Sequence, residues 1–116
     1  MQPDPTRMSQ CSLLRIYTEE RAKSGSRPLY EAIVLAAREA GLSGATVLRG
    51  PMGFGRSHRL HNAHILDLSG DLPLVIEIVD AEDRLRAFAT GLAAMPAIGL
   101  VTLEKVEVLH YPNETT

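Results

Sequence analysis

The sequence predicts a single α+β domain in which two helices lie on one face of a four-stranded antiparallel sheet, with elements in the order βαββαβ. Three observations carry this expectation. Short runs rich in Val, Ile and Leu recur at residues 12–17, 46–49 and 72–79, with the length and composition of strands. Apolar residues fall at helical spacing in two places, after Pro28 and after Asp80. The 116 residues, 45% of them hydrophobic, supply one ordinary core and little room for a second.

Residues 1–10 are polar and proline-bearing, without the apolar stretch of a secretory signal, and read as a flexible tail before a domain spanning residues 11–111. Ser12-Leu13-Leu14-Arg15-Ile16-Tyr17 predicts a mostly buried first strand. Arg15 within it reads as a paired charge at a sheet edge, and Glu19, Glu20, Arg21 and Lys23 as a solvated rim. Ser24-Gly25-Ser26-Arg27 breaks the chain. Pro28 in a first-turn position, with Glu31 just inside, starts a helix. Leu29, Ile33, Ala36, Ala37 and Ala40 form its apolar stripe, and Gly41 with Gly44 stops it.

Thr46-Val47-Leu48-Arg49 predicts the second strand and residues 72–79 the third, longer and richer in β-branched residues. Hairpin loops run to about two to five residues, so the interval 50–71 reads as a functional or mobile insertion. Within it His64-Ile65-Leu66-Asp67-Leu68 offers a strand extension. Asp80 is placed as the N-cap of the second helix, with Glu82 and Asp83 complementing the positive end of its dipole. Leu85, Phe88, Ala89, Leu92 and Met95 give the stripe that Pro96 ends. In residues 100–111, Val101 and Leu103 share one parity, whereas Val106, Val108 and His110 share the other. The slip at Glu104-Lys105 predicts a bulge or a change of pairing partner, and a strand running past its own sheet is one way to hold a neighbouring subunit. Residues 112–116 read as a tail. The whole is the split βαβ, or ferredoxin-like, arrangement.

A formal net charge of −2 lacks the basic footprint that binding to nucleic acid needs. The single cysteine, Cys11, makes neither an internal disulfide nor a thiolate zinc site, so it reads as a small buried residue in a chain suited to a reducing compartment. The longest nearly uncharged run, residues 88–103, is broken by Pro96 and glycines and falls short of the roughly 20 apolar residues that span a bilayer. A cytoplasmic protein without direct membrane insertion is expected. Aromatics make up 4% with no Trp, leaving Leu, Ile, Val and Ala to build the core, a composition that benefits from oligomerising. No serine sits on a G-x-S-x-G turn, so no enzymatic activity, no catalytic residue and no resident cofactor is expected.

The chemistry concentrates where the second strand ends. Gly50, Gly53 and Gly55 follow Arg49 closely. Amides without neighbouring Cβ atoms converge readily on an anion, and Arg49 supplies a forked cation at their base. The order G-x-x-G-x-G, with no helical pattern after it, fits neither the P-loop nor the dinucleotide fingerprint, and glycines serving only a tight turn are the plain alternative. Arg56, Arg59, His58, His61 and His64 share the segment and favour an anion site. A charge-assisted hydrogen bond gives about 1.5–3 kcal/mol, whereas micromolar binding needs roughly 8 kcal/mol. Several contacts must converge, which favours a cleft shared by two chains. His58, His61 and His64, spaced by three, would share a face only on a helix, whereas this stretch reads as loop or strand.

Residues 44–55, Asp71-Leu72-Pro73-Leu74-Val75-Ile76-Glu77-Ile78-Val79-Asp80 and Gly99-Leu100-Val101-Thr102-Leu103-Glu104-Lys105-Val106, with the opening Leu14-Arg15-Ile16-Tyr17-Thr18-Glu19, together resemble the family catalogued as domain of unknown function 190. The resemblance covers residues 12–111. It implies a PII-like signalling protein: a ferredoxin-like protomer, a homotrimer, and clefts between subunits where PII relatives sense adenine nucleotides or other small effectors. It also implies that residues 51–64 correspond to the PII T-loop, which changes order on effector binding and touches partner proteins, often membrane transporters or metabolic enzymes. Carried onto matching positions, Arg49, Gly50, Gly53 and Gly55 become effector contacts, with Arg56 and His58 as further candidates. Pro96-Ala97-Ile98-Gly99-Leu100-Val101-Thr102 has neither the glycine-rich B-loop nor its basic residue, so standard ATP and 2-oxoglutarate sensing is not implied. The loop has no tyrosine for uridylylation. The alternative is a CutA-like trimeric divalent-metal-binding protein of the same fold, with His58, His61 and His64 as ligands.

Overall fold

Alternation in the first strand decides which face of the sheet is buried. In a computed structural model of the chain, which describes residues 11–55, 60–62, 71–95 and 98–110, β1 (Cys11–Glu19) buries Ser12, Leu14 and Ile16 and leaves Leu13, Arg15 and Tyr17 half-buried on the other face. β7 (Pro73–Ala81) does the same with Leu74, Ile76, Ile78 and Asp80. These two strands form the centre of a four-stranded sheet, running antiparallel with Leu14 opposite Ile78 and Ile16 opposite Ile76. β4 (Thr46–Arg49) flanks β7 and β8 (Val101–Lys105) flanks β1, both antiparallel, giving the order β4-β7-β1-β8.

Two helices among the described residues, α1 (Leu29–Glu39) and α2 (Glu82–Leu92), lie on one face. Leu29, Ile33 and Ala37 of α1 and Leu85 and Leu92 of α2 close over Leu14, Ile16, Ile76 and Ile78. This is the ferredoxin-like arrangement that the element order predicts. Truncating any of the large members to alanine typically costs about 2–5 kcal/mol.

Several local expectations are corrected. The break at residues 24–28 is a small hairpin, β2 (Lys23–Ser24) with β3 (Arg27–Pro28), turning on Gly25. Pro28 stands one position ahead of α1, as its N-cap, rather than inside the first turn. Arg15 is on a central strand, not an edge: its Nε donates to Glu77 at 2.9 Å and its Nη1 to Glu104 at 2.7 Å. Asp80 does not cap α2, whose N-cap is Ala81 without a side-chain bond. The Asp80 carboxylate instead accepts from the Ser43 amide at 2.9 Å, the Ser43 hydroxyl at 2.7 Å and the Ala81 amide at 2.7 Å, with the Arg84 guanidinium at 3.3 Å. It thereby ties the end of α1 to the start of α2. The parity slip at Glu104-Lys105 marks the end of β8, after which Val106 makes one more backbone bond to Cys11 at 3.2 Å.

α1 ends as its glycine predicts. Gly41 has φ 77°, its amide donates to Arg38 and the Leu42 amide donates to Ala37, both at 3.1 Å. This pair of bonds is a Schellman stop.

Candidate functional site

Where β1, β4 and β7 meet at one end of the sheet, three chain segments are tied by backbone bonds. The Glu20 amide donates to Leu72 O at 2.8 Å, and the Gly50 amide donates to Pro73 O at 2.8 Å. The Arg21 amide donates to the Asp71 carboxylate at 3.0 Å. These bonds carry the sheet one residue past each strand and fix the end of β1, the end of β4 and the start of β7 together.

Arg49 is the last residue of β4, an outer strand whose four residues are all exposed. Its Nη2 lies 2.5 Å from Glu20 Oε2, with the arginine side chain 61% exposed and the glutamate 24%. Glu20 is therefore more than a solvated rim charge. Its partner lies 29 positions further on in the sequence, and nothing in the local pattern pairs the two.

The glycines behave unevenly. A Cβ on Gly50 would sit 3.1 Å from the Pro73 ring and one on Gly53 3.3 Å from it. Both are small because the chain crosses that ring closely, and the Gly50 amide is engaged by Pro73 rather than pointing at a vacant anion position. Gly53 then pairs with His61 in a two-residue ladder, β5 (Met52–Gly53) against β6 (His61–Asn62), which zips the base of the long loop. Around Gly55 a Cβ would meet nothing within 4 Å. The structure thus gathers Gly50 and Gly53 around Pro73, next to Arg49 opposite Leu74, with Gly55 following in open space. Arg56, Arg59, His58 and His64 lie outside the described residues, as does the strand extension expected at residues 64–68. Only the backbone placement of His61 bears on the histidine trio.

A concavity of about 520 Å³ lies elsewhere, between α1 and α2, lined by Ala36, Ala40, Ala87, Phe88 and Met95. Its charged residue, Arg84, is already bound to Asp80 and to the carbonyls of Ala40 at 3.1 Å and Gly41 at 2.8 Å. It contains stripe residues of both helices but none of the effector or metal candidates named from the sequence. No helix among the described residues is long and apolar enough to cross a membrane.

The face of the sheet turned away from the helices holds Leu13 opposite Val79, and Tyr17 and Leu48 both opposite Val75. Leu48 and Val79 are exposed, at 47% and 37%, in the single chain. Between these apolar rows runs the Arg15–Glu77–Glu104 cluster.

Comparison with known proteins extends this geometry. The family model DUF190, described as an uncharacterized ACR, matches residues 11–108. A UPF0166 protein of Aquifex aeolicus (strain VF5) is 36% identical over 104 residues, covering 90% of this chain and 98% of its own length. A second from the same organism is 34% identical over 98 residues, covering 83% and 94%. A UPF0166 protein of Methanocaldococcus jannaschii is 35% identical over 78 residues, covering 67% and 71%. Among solved structures, CPII bound to ADP and bicarbonate, from Thiomonas intermedia K12, aligns with a TM-score of 0.64 at 22% identity, covering 84% of this chain and 87% of that one. That likeness shows a shared fold.

Proposed function

We propose, from the fact that this chain belongs to the DUF190 family, that it is a homotrimeric PII-like regulatory protein. It binds a small anionic effector, an adenine nucleotide, in clefts between subunits at the Arg49 end of the sheet. The observation that carries this reading is Arg49 itself: a guanidinium 61% exposed, at the end of an outer strand and at the base of a long loop. A guanidinium forks onto phosphate oxygens, and each charge-assisted bond contributes about 1.5–3 kcal/mol. The PII-fold neighbour described with ADP supports a nucleotide as the guest.

The partly exposed apolar rows on the helix-free face support self-association, and packing copies there brings a second chain beside β4. The trimer itself is what the PII resemblance implies. Gly50 and Gly53 serve by letting the loop base cross Pro73, so that Arg49 is presented at a fixed place. Gly55, Arg56 and His58 are the further contacts. The effector acts by differential affinity: it shifts the population of the 50–64 loop by the free energy with which it prefers one arrangement. The loop then meets a partner protein, a membrane transporter or a metabolic enzyme, in the cytoplasm. In this role the protein catalyses nothing and needs no resident cofactor.

Calorimetry with AMP, ADP and ATP, alongside light scattering for the mass, tests the reading. Binding that weakens about 10-fold or more in Arg49→Ala, on a three-copy particle, is the expected result. Undetectable heat and an unmoved melting temperature with all three nucleotides would contradict it.

A further inference from the structure

An anion approaching Arg49 finds the guanidinium already engaged. Glu20 holds it at 2.5 Å, and the backbone that carries Glu20 is itself fixed, through Leu72 O at 2.8 Å and, one residue on, through Asp71 at 3.0 Å. Arginine is the more exposed of the two side chains and so the partner with room to move.

We infer that Glu20 is an internal competitor for the effector, a carboxylate that occupies the Arg49 guanidinium until a phosphate displaces it and that thereby sets the affinity of the site. The inference rests on the reading of Arg49 as an effector contact. Carboxylate and phosphate offer arginine the same planar pair of acceptor oxygens, so the two compete for the same N–H groups. Once displaced, Glu20 stays nearby, because its backbone is tied to β7. Its negative charge then opposes the bound phosphates, more strongly for a more highly charged nucleotide and less strongly in salt. Glu20 is thus a residue that raises the concentration of nucleotide at which the site fills, and it discriminates among nucleotides by charge.

The test is a calorimetric titration of ADP and AMP into wild type, Glu20→Gln, Arg49→Ala and the double variant, in low salt and near 1 M salt. Glu20→Gln keeps the shape and removes the charge. With the exposed pair no longer to be broken and the residual repulsion removed, ADP affinity is expected to rise about three- to tenfold in low salt. The gain should be smaller for AMP, and should fade near 1 M salt, where the screening length is about 3 Å. In the Arg49→Ala background the same substitution should gain less than about twofold, because no pair remains to be broken. Glu20→Asp, whose shorter carboxylate withdraws from the guanidinium, should fall between wild type and Glu20→Gln and serves if the glutamine variant folds poorly.

Wild-type binding that is unchanged or weaker in both Glu20 variants overturns the competitor role and leaves the nucleotide reading standing. An equal gain with and without Arg49 also overturns it, assigning the effect to the general field of the site. No binding of AMP, ADP or ATP by wild type or Glu20→Gln removes the nucleotide reading, and the competitor with it.

Discussion

Asp80 shows how much one side chain holds. It is 3% exposed, and its two oxygens collect the Ser43 amide and hydroxyl, the Ala81 amide and Arg84. Burial pushes its carboxyl up, but the Ser43 hydroxyl, the two amides and the Arg84 charge outweigh burial and hold it below the ordinary value of 3.8. Removing one member of a buried, hydrogen-bonded charge cluster leaves the others unpaired, so Asp80→Ala is expected to cost about 3 kcal/mol or more by urea denaturation. A loss under about 1 kcal/mol would return Asp80 to the rank of a simple cap. The pH dependence has a definite sign. Because the folded-state value is the lower one, the stabilisation is complete above the ordinary value and is lost as pH falls through the depressed one. The stability difference between wild type and Asp80→Asn should therefore be constant from neutral pH down to about pH 5 and shrink below pH 4, as followed by denaturant titrations across that range. The sequence marks Asp80 because an acid before an apolar-periodic run is a start signal. Its partner Ser43 lies 37 positions away, and no local pattern announces such a pair. The same holds for Glu20 and Arg49: the arginine stands out beside its glycines, and the glutamate is one charge in a charged segment.

At the scale of elements, the sequence is most legible where periodicity and a terminator coincide. β4 runs over the four residues that their composition marks, and α1 stops at the glycine that its left-handed φ requires. β1 reaches Glu19 and β7 reaches Ala81, past their apolar runs, because the two strands pair with each other there, Thr18 and Glu19 with Leu74 and Pro73, and Asp80 and Ala81 with Ser12 and Cys11. The two-residue ladders β2–β3 and β5–β6 are too short to leave a period. Two glycine substitutions with opposite signs check this account. Gly41→Ala, forced to keep φ near 77°, should lose about 1–2 kcal/mol. Gly91→Ala, in an exposed turn of α2 with nothing within 4 Å of the new methyl, should gain about 0.5–1 kcal/mol. Both are read by thermal or chemical unfolding at one protein concentration, since the proposed assembly would make stability concentration-dependent.

On the scale of the whole molecule, the helix-free face is the surface proposed to bring copies together. Alternation in β1 and β7 sends Leu13, Tyr17, Val75 and Val79 to one side, with Leu48 of β4, while both helices close the other. Placing a charge there, as in Val79→Glu, should leave the helix-side core intact and reduce the proposed three-copy particle to a single copy at micromolar concentration, measured by light scattering with the circular dichroism spectrum unchanged. A particle of unaltered mass would show that copies assemble through another surface. The sequence foretells the layer and the fold through element order, but a cleft between copies has no signature in one chain beyond the exposed apolar rows and the arginine at their end.

The most direct measurement is a crystal structure of the protein grown with ADP. The account predicts phosphate oxygens within hydrogen-bond distance of the Arg49 guanidinium, at a boundary between two copies, with Glu20 displaced. ADP seated in the groove between α1 and α2, or an Arg49 still held by Glu20 beside an occupied site elsewhere, would contradict it.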